Sequence, residues 1–228
     1  SGTALGIQAG VGNFGVSLVQ LLVPALIGVG MLGFLGGSQQ MKVSGKPNAT
    51  VWYQNAAFFW IPFIVVVAGV AWMALKSVPI KANIRQQFDI FSTSDTWWMT
   101  ALYIMTFGTF SGLSAQFGLL MGNLYGAGNA AIVSGTGATA QVPISGYAVP
   151  DPVKYVFLGP LIGAGARVLF SPLTDRMGGA RWTLVSGIGL VASIAFTMTA
   201  LVPDTSSADA LQSGFTKFLW GMLAIFLF

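Results

Sequence analysis

Long apolar runs separated by polar stretches form the main pattern of this chain. A helix needs about 20 mostly apolar residues to cross the hydrocarbon core of a bilayer. Runs of that kind lie at 3–35, 55–75, 97–122, 153–174 and 181–202, and a further run, too short to span, begins near Phe215. They are too long and too evenly apolar for barrel strands, so the sequence predicts an all-α, polytopic transmembrane helix bundle.

Composition agrees with a membrane protein and excludes several functions. The chain is 54% hydrophobic and 7% charged, whereas soluble domains have roughly 25% charged residues. Its ten basic side chains are spread along the sequence, so nucleic acid is not an expected partner and the lipid bilayer is. There is no Cys and no His, which removes disulfides, thiolates, imidazole bases and the commonest soft metal ligands. We expect no metal, no cofactor and no enzymatic activity.

Basic residues in the polar stretches indicate the orientation of the helices. Five lie in the second and fourth loops, namely Lys76, Lys81, Arg85, Arg176 and Arg181, and four lie in or beside the others, namely Lys42, Lys46, Lys154 and Lys217. Because cytoplasmic loops carry an excess of Lys and Arg, the second and fourth loops are predicted to be cytoplasmic. The loop at 123–151 is long for a structureless connection, and we expect it to be mobile and partly interfacial.

Arg167 is a permanent cation inside an apolar run. Eight residues, or about 12 Å of helix, separate it from Asp175 near the end of the span. It could reach the cytoplasmic headgroups or pair with a structural carboxylate. An anion-binding role is favoured, because no Asp or Glu lies mid-span in this sequence and a guanidinium presents several donors to an anion. Small residues recur at every fourth position beside it, which predicts a face that borders a cavity: Gly159, Gly163, Arg167 and Ser171.

The first span carries small and polar side chains at helical spacing: Gly6, Gly10, Asn13, Ser17 and Gln20. The glycines at 2, 6 and 10 form a small-xxx-small pattern, which more often marks close helix packing than a binding site. Asn13 differs, because an amide at mid-depth must find hydrogen-bond partners. It could donate to a bound oxyanion or bond to a neighbouring helix, and the sequence leaves both alternatives open.

Aromatic and hydroxyl side chains share one face of the third span: Tyr103, Phe107, Ser111 and Ser114. Aromatic residues at this spacing usually pack in a core. A planar delocalised anion can also be held between aromatic faces or edges while an arginine supplies the charge. On that alternative, we expect Tyr103 and Phe107 to line the central cavity and to face Arg167.

The segment LTDRMGGAR ends the fourth span and starts the fifth after a very short loop. Gly178 and Gly179 permit a sharp turn. Asp175, Arg176 and Arg181 can tie helix ends together, and Asp175 can cap the N-terminus of the following helix. No chemistry is needed to explain this motif, which we interpret as a gating or structural latch.

Taken together, these segments resemble the nitrate/nitrite porter family (NarK-type) of the major facilitator superfamily. AGVGNFGVS, on the Gly-rich first helix, resembles the nitrate signature of that family, and LTDRMGGAR resembles the D-R-x-G-G motif of the superfamily. YIMTFGTFSGLSAQFGLL and FLGPLIGAGARVLFSPLTDRMGG resemble the seventh and eighth helices of such porters. The resemblance covers essentially all of the chain except 123–151. It implies an internal fragment that runs from about the fifth helix to the tenth of twelve.

The resemblance also implies a domain organisation. Residues 1–75 would hold the last two helices of the N-terminal half, 76–96 the cytoplasmic loop between the halves, and 97–228 the first helices of the C-terminal half, truncated in the last. The N-terminal and C-terminal helices that this fragment lacks would then be its partners within the same protein.

Site residues follow from the resemblance position by position. Arg167 would be one of two substrate-binding arginines, and Tyr103 and Phe107 match the aromatic residues at the anion site. The first signature segment supplies the remaining substrate-binding positions, Gly10, Gly12, Asn13 and Gly15.

The implied activity is transport of nitrate or nitrite by alternating access, in a multi-pass protein of the cell inner (plasma) membrane. A proton symporter usually carries a membrane-embedded acid or His. His and Glu are absent here, and every Asp lies at a predicted helix end or in a loop, so exchange of nitrate for nitrite is favoured. The alternatives are a nitrate/proton symporter, a facilitator or channel for another small anion, and a membrane sensor that binds anion without flux.

Overall fold

The computed structural model describes residues 2–30, 35–41, 49–76, 88–126, 131–133, 141–143 and 146–228. Its α-helices are α1 (Gly2–Ile27), α2 (Asn55–Phe58), α3 (Ile61–Ala74), α4 (Ser94–Tyr125), α5 (Leu158–Met177), α6 (Gly179–Met198) and α7 (Ala208–Leu227). Short 3-10 helices span Asp89–Ser92 and Pro152–Lys154. Two antiparallel pairs of short strands complete the structure: β1 (Gln39–Met41) with β2 (Ala49–Val51), and β3 (Ala131–Val133) with β4 (Gln141–Pro143).

The predicted helical membrane architecture is confirmed. Within the described residues, six helical segments are long and apolar enough to cross a membrane, with α2 and α3 together forming the second. The helix bounds differ most from the sequence prediction at two ends, one in the first span and one in the last.

The first span ends earlier than predicted, at Ile27 rather than near residue 35. The backbone N–H of Trp52 donates to the carbonyl of Ile27, and the side-chain amide of Asn55 donates to the carbonyls of Leu26 and Val29. Carbonyls at the end of a helix have no partner within that helix. These donors satisfy them, so the apolar sequence can leave the helical conformation here.

The last span begins earlier than predicted, at Ala208 rather than near Phe215. The hydroxyl of Ser207 accepts a hydrogen bond from the backbone N–H of Ala210, 3.1 Å away, which is an N-cap. Polar residues from 209 to 217 therefore form the first turns of α7 instead of a loop. The interpretation of this last apolar run as too short to span is wrong, since α7 has 20 residues.

The described residues group into two compact units. The first unit contains α1 up to Leu22, α4 from Leu113, and α5 to α7. The second unit contains the rest of α1, the β1–β2 pair, α2, α3, and α4 up to Gly112.

In the first unit, α7 packs against α5 and α6. Side chains of α4 and α7 form its core, including Phe117, Met121, Leu211 and Phe218, which are fully buried. The amphipathic pattern of α7 explains this packing, because its apolar residues recur on one face while Asp209, Gln212 and Lys217 are exposed on the other.

Tyr125, the last residue of α4, is fully buried in the first unit. Its buried hydroxyl donates to the carbonyl of Ala200, and its ring contacts those of Phe215 and Phe218. Tyr147, in the connection before α5, donates its hydroxyl to the carbonyl of Tyr125 at 2.9 Å. Burial raises the pKa of Tyr147 to about 12, with a smaller electrostatic contribution from Tyr125.

Two predicted loops are only partly described. In the connection at 123–151, α4 continues to Tyr125 and the strands β3 and β4 pair. The hydroxyl of Tyr147 donates to the carbonyl of Tyr125. The prediction of a mobile, interfacial loop falls largely on 127–130, 134–140 and 144–145, which lie outside the described residues. Most of the predicted inter-half loop, 77–87, also lies outside them.

Candidate functional site

The glycine stripe of α1 packs directly on α5. A Cβ placed on Gly6 would lie 2.3 Å from the Cβ of Ser171 and 3.1 Å from the carbonyl oxygen of Arg167. A Cβ on Gly10 would lie 2.5 Å from a methyl of Val168. Real Cβ atoms do not approach other atoms so closely, so only glycine permits this separation of the two backbones. The helix-packing interpretation of these glycines is therefore confirmed.

Asp175 binds a helix other than the predicted one. Its carboxylate accepts hydrogen bonds from the backbone N–H groups of Gly2 and Thr3 at 2.9 Å, and from the Thr3 hydroxyl. The three donors belong to the first two residues of α1 that the structure describes, so the carboxylate joins α1 to α5. The prediction that Asp175 caps the following helix is wrong, because Gly178 is the N-cap residue of α6 and no side chain caps that end.

Gly178 makes the sharp turn between α5 and α6 as predicted. Its φ of +85° lies in the left-handed region that favours glycine. Gly179 is already the first residue of α6. Arg176 and Arg181 are exposed at this end of the helices, and their role in a latch stays a prediction.

The small residues beside Arg167 are covered by other helices. Gly159 lies against the ring of Phe226 in α7, where an added Cβ would come within 2.3 Å of a ring carbon. Ser171 is buried against Gly6 of α1, and Gly163 is also buried. The prediction that this face borders a cavity is wrong at Gly159 and Ser171, because small residues here let α1 and α7 approach α5.

Arg167 is half-buried in the interior of α5. Ala164 and Ala166 beside it are buried, so the helix around it is closely packed. Arg167 lies eight residues before Asp175 in the same helix. Arg167 has an interaction partner in the structure and is not an isolated charge.

Polar side chains continue the α1 stripe beyond Gly10. The Ser17 hydroxyl donates to the carbonyl of Phe157 at 2.9 Å, and the Gln20 amide donates to the carbonyl of Ser114 at 2.8 Å. Between Gly10 and Ser17 lies Asn13, whose Nδ2 is buried and has no hydrogen-bond partner among the described residues. Within the part of the chain that the structure describes, the amide nitrogen of Asn13 does not bond to a neighbouring helix, and donation to a bound oxyanion stays a prediction.

The other two signature glycines lie away from the packed face. Among the described residues, a Cβ on Gly12 or on Gly15 would meet no other atom within 4 Å, and both residues are exposed. Gly10 therefore has a packing role that Gly12 and Gly15 do not share. Substrate binding by any of the three stays a prediction.

In the second unit, three rings of α4 form an aromatic ladder consisting of Tyr103, Phe107 and Phe110. The Tyr103 and Phe107 rings are nearly parallel, with centroids 5.3 Å apart and an interplanar angle of 10°. Phe107 and Phe110 follow at 6.2 Å and 29°. Of the hydroxyl residues predicted on the same face, Ser111 is exposed and Ser114 is buried in the first unit.

Sequence reasoning missed two residues that shape these regions. Phe110 follows Tyr103 by seven residues, a helical repeat that would have placed it on the same face. Asn55 is 1% exposed and ends α1 through its side-chain amide. The role of Asn55 could not be predicted from the neighbouring sequence, because the carbonyls that it binds lie more than 25 residues away.

Comparison with known proteins gives close relatives. The chain is 46% identical, over all of its 228 residues, to the probable nitrate/nitrite antiporter NarK2 of Thermus thermophilus. It is 32% identical over 212 residues to the nitrate/nitrite transporter NarU of Escherichia coli (strain K12), and 32% over 188 residues to NarU of Salmonella typhimurium. No family model matches. The chain spans about half the length of the relatives or less: 46%, 40% and 35%, respectively.

The relatives and the apolar helices together show what kind of protein this is. The relatives are transporters rather than enzymes. The apolar helices make the chain a multi-pass protein, which for such transporters lies in the inner membrane. With 46% identity over its whole length to one relative and 32% to two more, the chain belongs to the NarK-type nitrate/nitrite porter family of the major facilitator superfamily.

Proposed function

We propose that the whole protein containing this chain exchanges nitrate for nitrite across the inner membrane, with Arg167 and Asn13 among the residues that bind the anion. One observation carries the assignment of the site. The amide nitrogen of Asn13 is a buried donor with no acceptor among the described residues. A buried donor without an acceptor is costly, and an oxygen of nitrate or nitrite would satisfy it.

The position of Asn13 suits this role. It continues the α1 stripe that packs on α5 at Gly6 and Gly10. Arg167 belongs to α5, and the backbone of α5 at Arg167 and Val168 is where Gly6 and Gly10 of this stripe pack. An anion there would receive neutral amide hydrogen bonds from one helix and a charged, planar donor group from the other.

The relatives support the choice of substrate and of mechanism. NarK2 is named a probable nitrate/nitrite antiporter, and the two NarU proteins are named nitrate/nitrite transporters. Binding near the middle of paired helices suits alternating access, in which two halves of a transporter expose one site to each side in turn. Residues 1–75 and 97–228 would belong to the two halves, joined by the cytoplasmic loop 76–96.

Exchange is favoured over proton symport by the titratable residues. The chain contains no Glu and no His. Asp175 lies two residues before the end of α5, and Asp95 and Asp209 lie in the first turns of α4 and α7. The other three acidic residues, Asp89, Asp151 and Asp204, lie between these long helices. No acidic group therefore lies mid-span in the sequence to carry a proton with the anion.

The remaining predicted substrate residues are Gly10, Gly12, Gly15, Tyr103 and Phe107. The two aromatic residues belong to the second compact unit, and α4 presents them as stacked rings. Tyr103 offers a hydroxyl donor and a ring face to a planar anion. The glycines would give the anion close access to the α1 backbone.

Vesicles test this proposal directly. The full-length protein is reconstituted, the vesicles are loaded with nitrite, and uptake of external labelled nitrate is followed with and without internal anion and with an imposed pH gradient. We expect uptake that needs internal nitrite and ignores the pH gradient, and uptake should fall at least tenfold in Asn13→Ala. Nitrate uptake into empty vesicles that follows the pH gradient would refute exchange in favour of symport, and net current with nitrate alone would indicate a channel.

A further inference from the structure

The aromatic ladder of α4 changes from exposed to buried along its length. Tyr103 is 61% exposed, Phe107 is half-buried and Phe110 is only 8% exposed. The three residues are spaced by four and three positions, so their rings follow one face of the helix. Phe110 is therefore the anchored end of the ladder, and Tyr103 is its free end.

Ring orientation in such a ladder depends on stacking. The χ2 torsion of Phe and Tyr is broad, so the plane of an exposed ring is not fixed by its own rotamer. At Tyr103 and Phe107 the rings are parallel within 10°, and Phe107 lies at 29° to Phe110. Each ring thus limits the rotation of the next ring along the helix. Phe110 is the most restrained of the three, because it is buried.

Among the described residues, the hydroxyl groups beside the ladder do not bond to the side chain of Tyr103. Thr106 and Thr109 direct their hydroxyls to carbonyls of α4 itself, those of Leu102 and Met105. A Cβ on Gly108 would meet no other atom of the described residues within 4 Å. The Tyr103 hydroxyl is the polar group that the ladder presents at its exposed end.

We propose that Phe110 is a positioning residue for anion recognition, which acts through Phe107 to fix the ring plane and the hydroxyl of Tyr103. This inference rests on the proposed function, in which Tyr103 and Phe107 contact the anion. Phe110 itself does not touch the substrate. It sets the direction of the Tyr103 O–H bond, to which the binding of a small planar anion is sensitive because hydrogen bonds weaken steeply with misalignment.

The test compares two buried phenylalanines of the same helix. Phe110→Leu removes the anchored ring, whereas Phe117→Leu removes a fully buried ring that contacts Phe218 and Phe226 and has no part in the ladder. In the reconstituted full-length protein, we expect Phe110→Leu to raise the KM for nitrate about 2- to 10-fold, with the maximal rate nearly unchanged. This fold-change corresponds to the interaction free energy of one aromatic pair. Phe117→Leu should lower Tm and leave the KM for nitrate unchanged.

A double-mutant cycle separates positioning from general damage. If Phe110 acts through the Tyr103 hydroxyl, Phe110→Leu will have little further effect on KM in the Tyr103→Phe background. Phe110→Tyr, which keeps the ring, should retain a KM close to wild type even if Tm falls, so the inference stays testable where Phe110→Leu does not fold.

Two results would overturn the inference alone: an unchanged KM in Phe110→Leu, or fully additive effects of Phe110→Leu and Tyr103→Phe in a protein that transports nitrate. Wild-type protein that moves neither nitrate nor nitrite would instead contradict the proposed function, and this inference with it.

Discussion

The carboxylate of Asp175, near the end of α5, caps the start of α1 by accepting hydrogen bonds from the backbone N–H groups of Gly2 and Thr3 at 2.9 Å. The two elements lie more than 170 residues apart in the sequence. One carboxylate therefore joins α1 to α5 through three hydrogen bonds, counting the one from the Thr3 hydroxyl.

Replacing Asp175 tests the importance of this contact. Asp175→Asn removes the negative charge and leaves one acceptor oxygen for three donors, so we expect a lower Tm in the purified full-length protein. Asp89→Asn is the control, because Asp89 is exposed in the 3-10 helix before α4. Equal Tm values for the two variants would show that the cap contributes nothing to stability.

The glycine stripe gives a second, steric prediction. Gly6→Ala places a methyl group where the Cβ of Ser171 and the carbonyl of Arg167 already lie. Because both obstacles are close to the α5 backbone, the helices must separate, and we expect a loss of about 1–3 kcal/mol in stability. Gly187→Ala is the control in α6, where a Cβ meets nothing within 4 Å. It should be neutral or stabilising by up to about 1 kcal/mol, since Ala is the better helix former. A stable Gly6→Ala protein would contradict the close approach of α1 and α5.

Arg167 gives a prediction about binding. Arg167→Lys keeps the charge and loses the planar fork of donors, so nitrate binding should weaken by about tenfold or more. Arg176→Lys, at the exposed end of α5, is the matched control and should bind nitrate like the wild type. Equilibrium binding of labelled nitrate to the detergent-solubilised full-length protein measures both. If Arg167→Lys bound nitrate with wild-type affinity, Arg167 would not be part of the anion-binding site.

Tyr147 gives a prediction about pH. Its folded-state pKa is raised to about 12 from the ordinary 10.0, mainly by burial. The neutral phenol is favoured in the folded state, so its contribution to stability is complete below pH 10 and is lost as the pH rises towards 12. We expect Tyr147→Phe to remove part of the decline of Tm over this range, and also the hydrogen bond to Tyr125. A decline of Tm with pH in Tyr147→Phe identical to that of the wild type would contradict the raised pKa.

The sequence by itself determined the class of fold and most of the helix bounds. Apolar runs of spanning length left few alternatives to membrane helices, because lipid requires every backbone group to be bonded within the segment. The small-xxx-small spacing of α1 was enough to predict close packing, and Gly178 was enough to predict the turn between α5 and α6. Each of these features depends on residues close together in the chain.

Only the tertiary structure shows which helix packs against each small-residue face and which helix Asp175 caps. Asp175 could have capped either of two helix starts, and it caps α1 because the glycines bring α1 against α5. The face of Gly159 and Ser171 was predicted to border a cavity, but small residues suit a cavity and a close helix contact equally well, and neighbouring helices cover it. Likewise, spacing placed Tyr103 and Phe107 on one face, while the restraint on their ring planes comes from the burial of Phe110. These helix contacts and ring orientations depend on segments that are far apart in the chain, so the local sequence does not predict them.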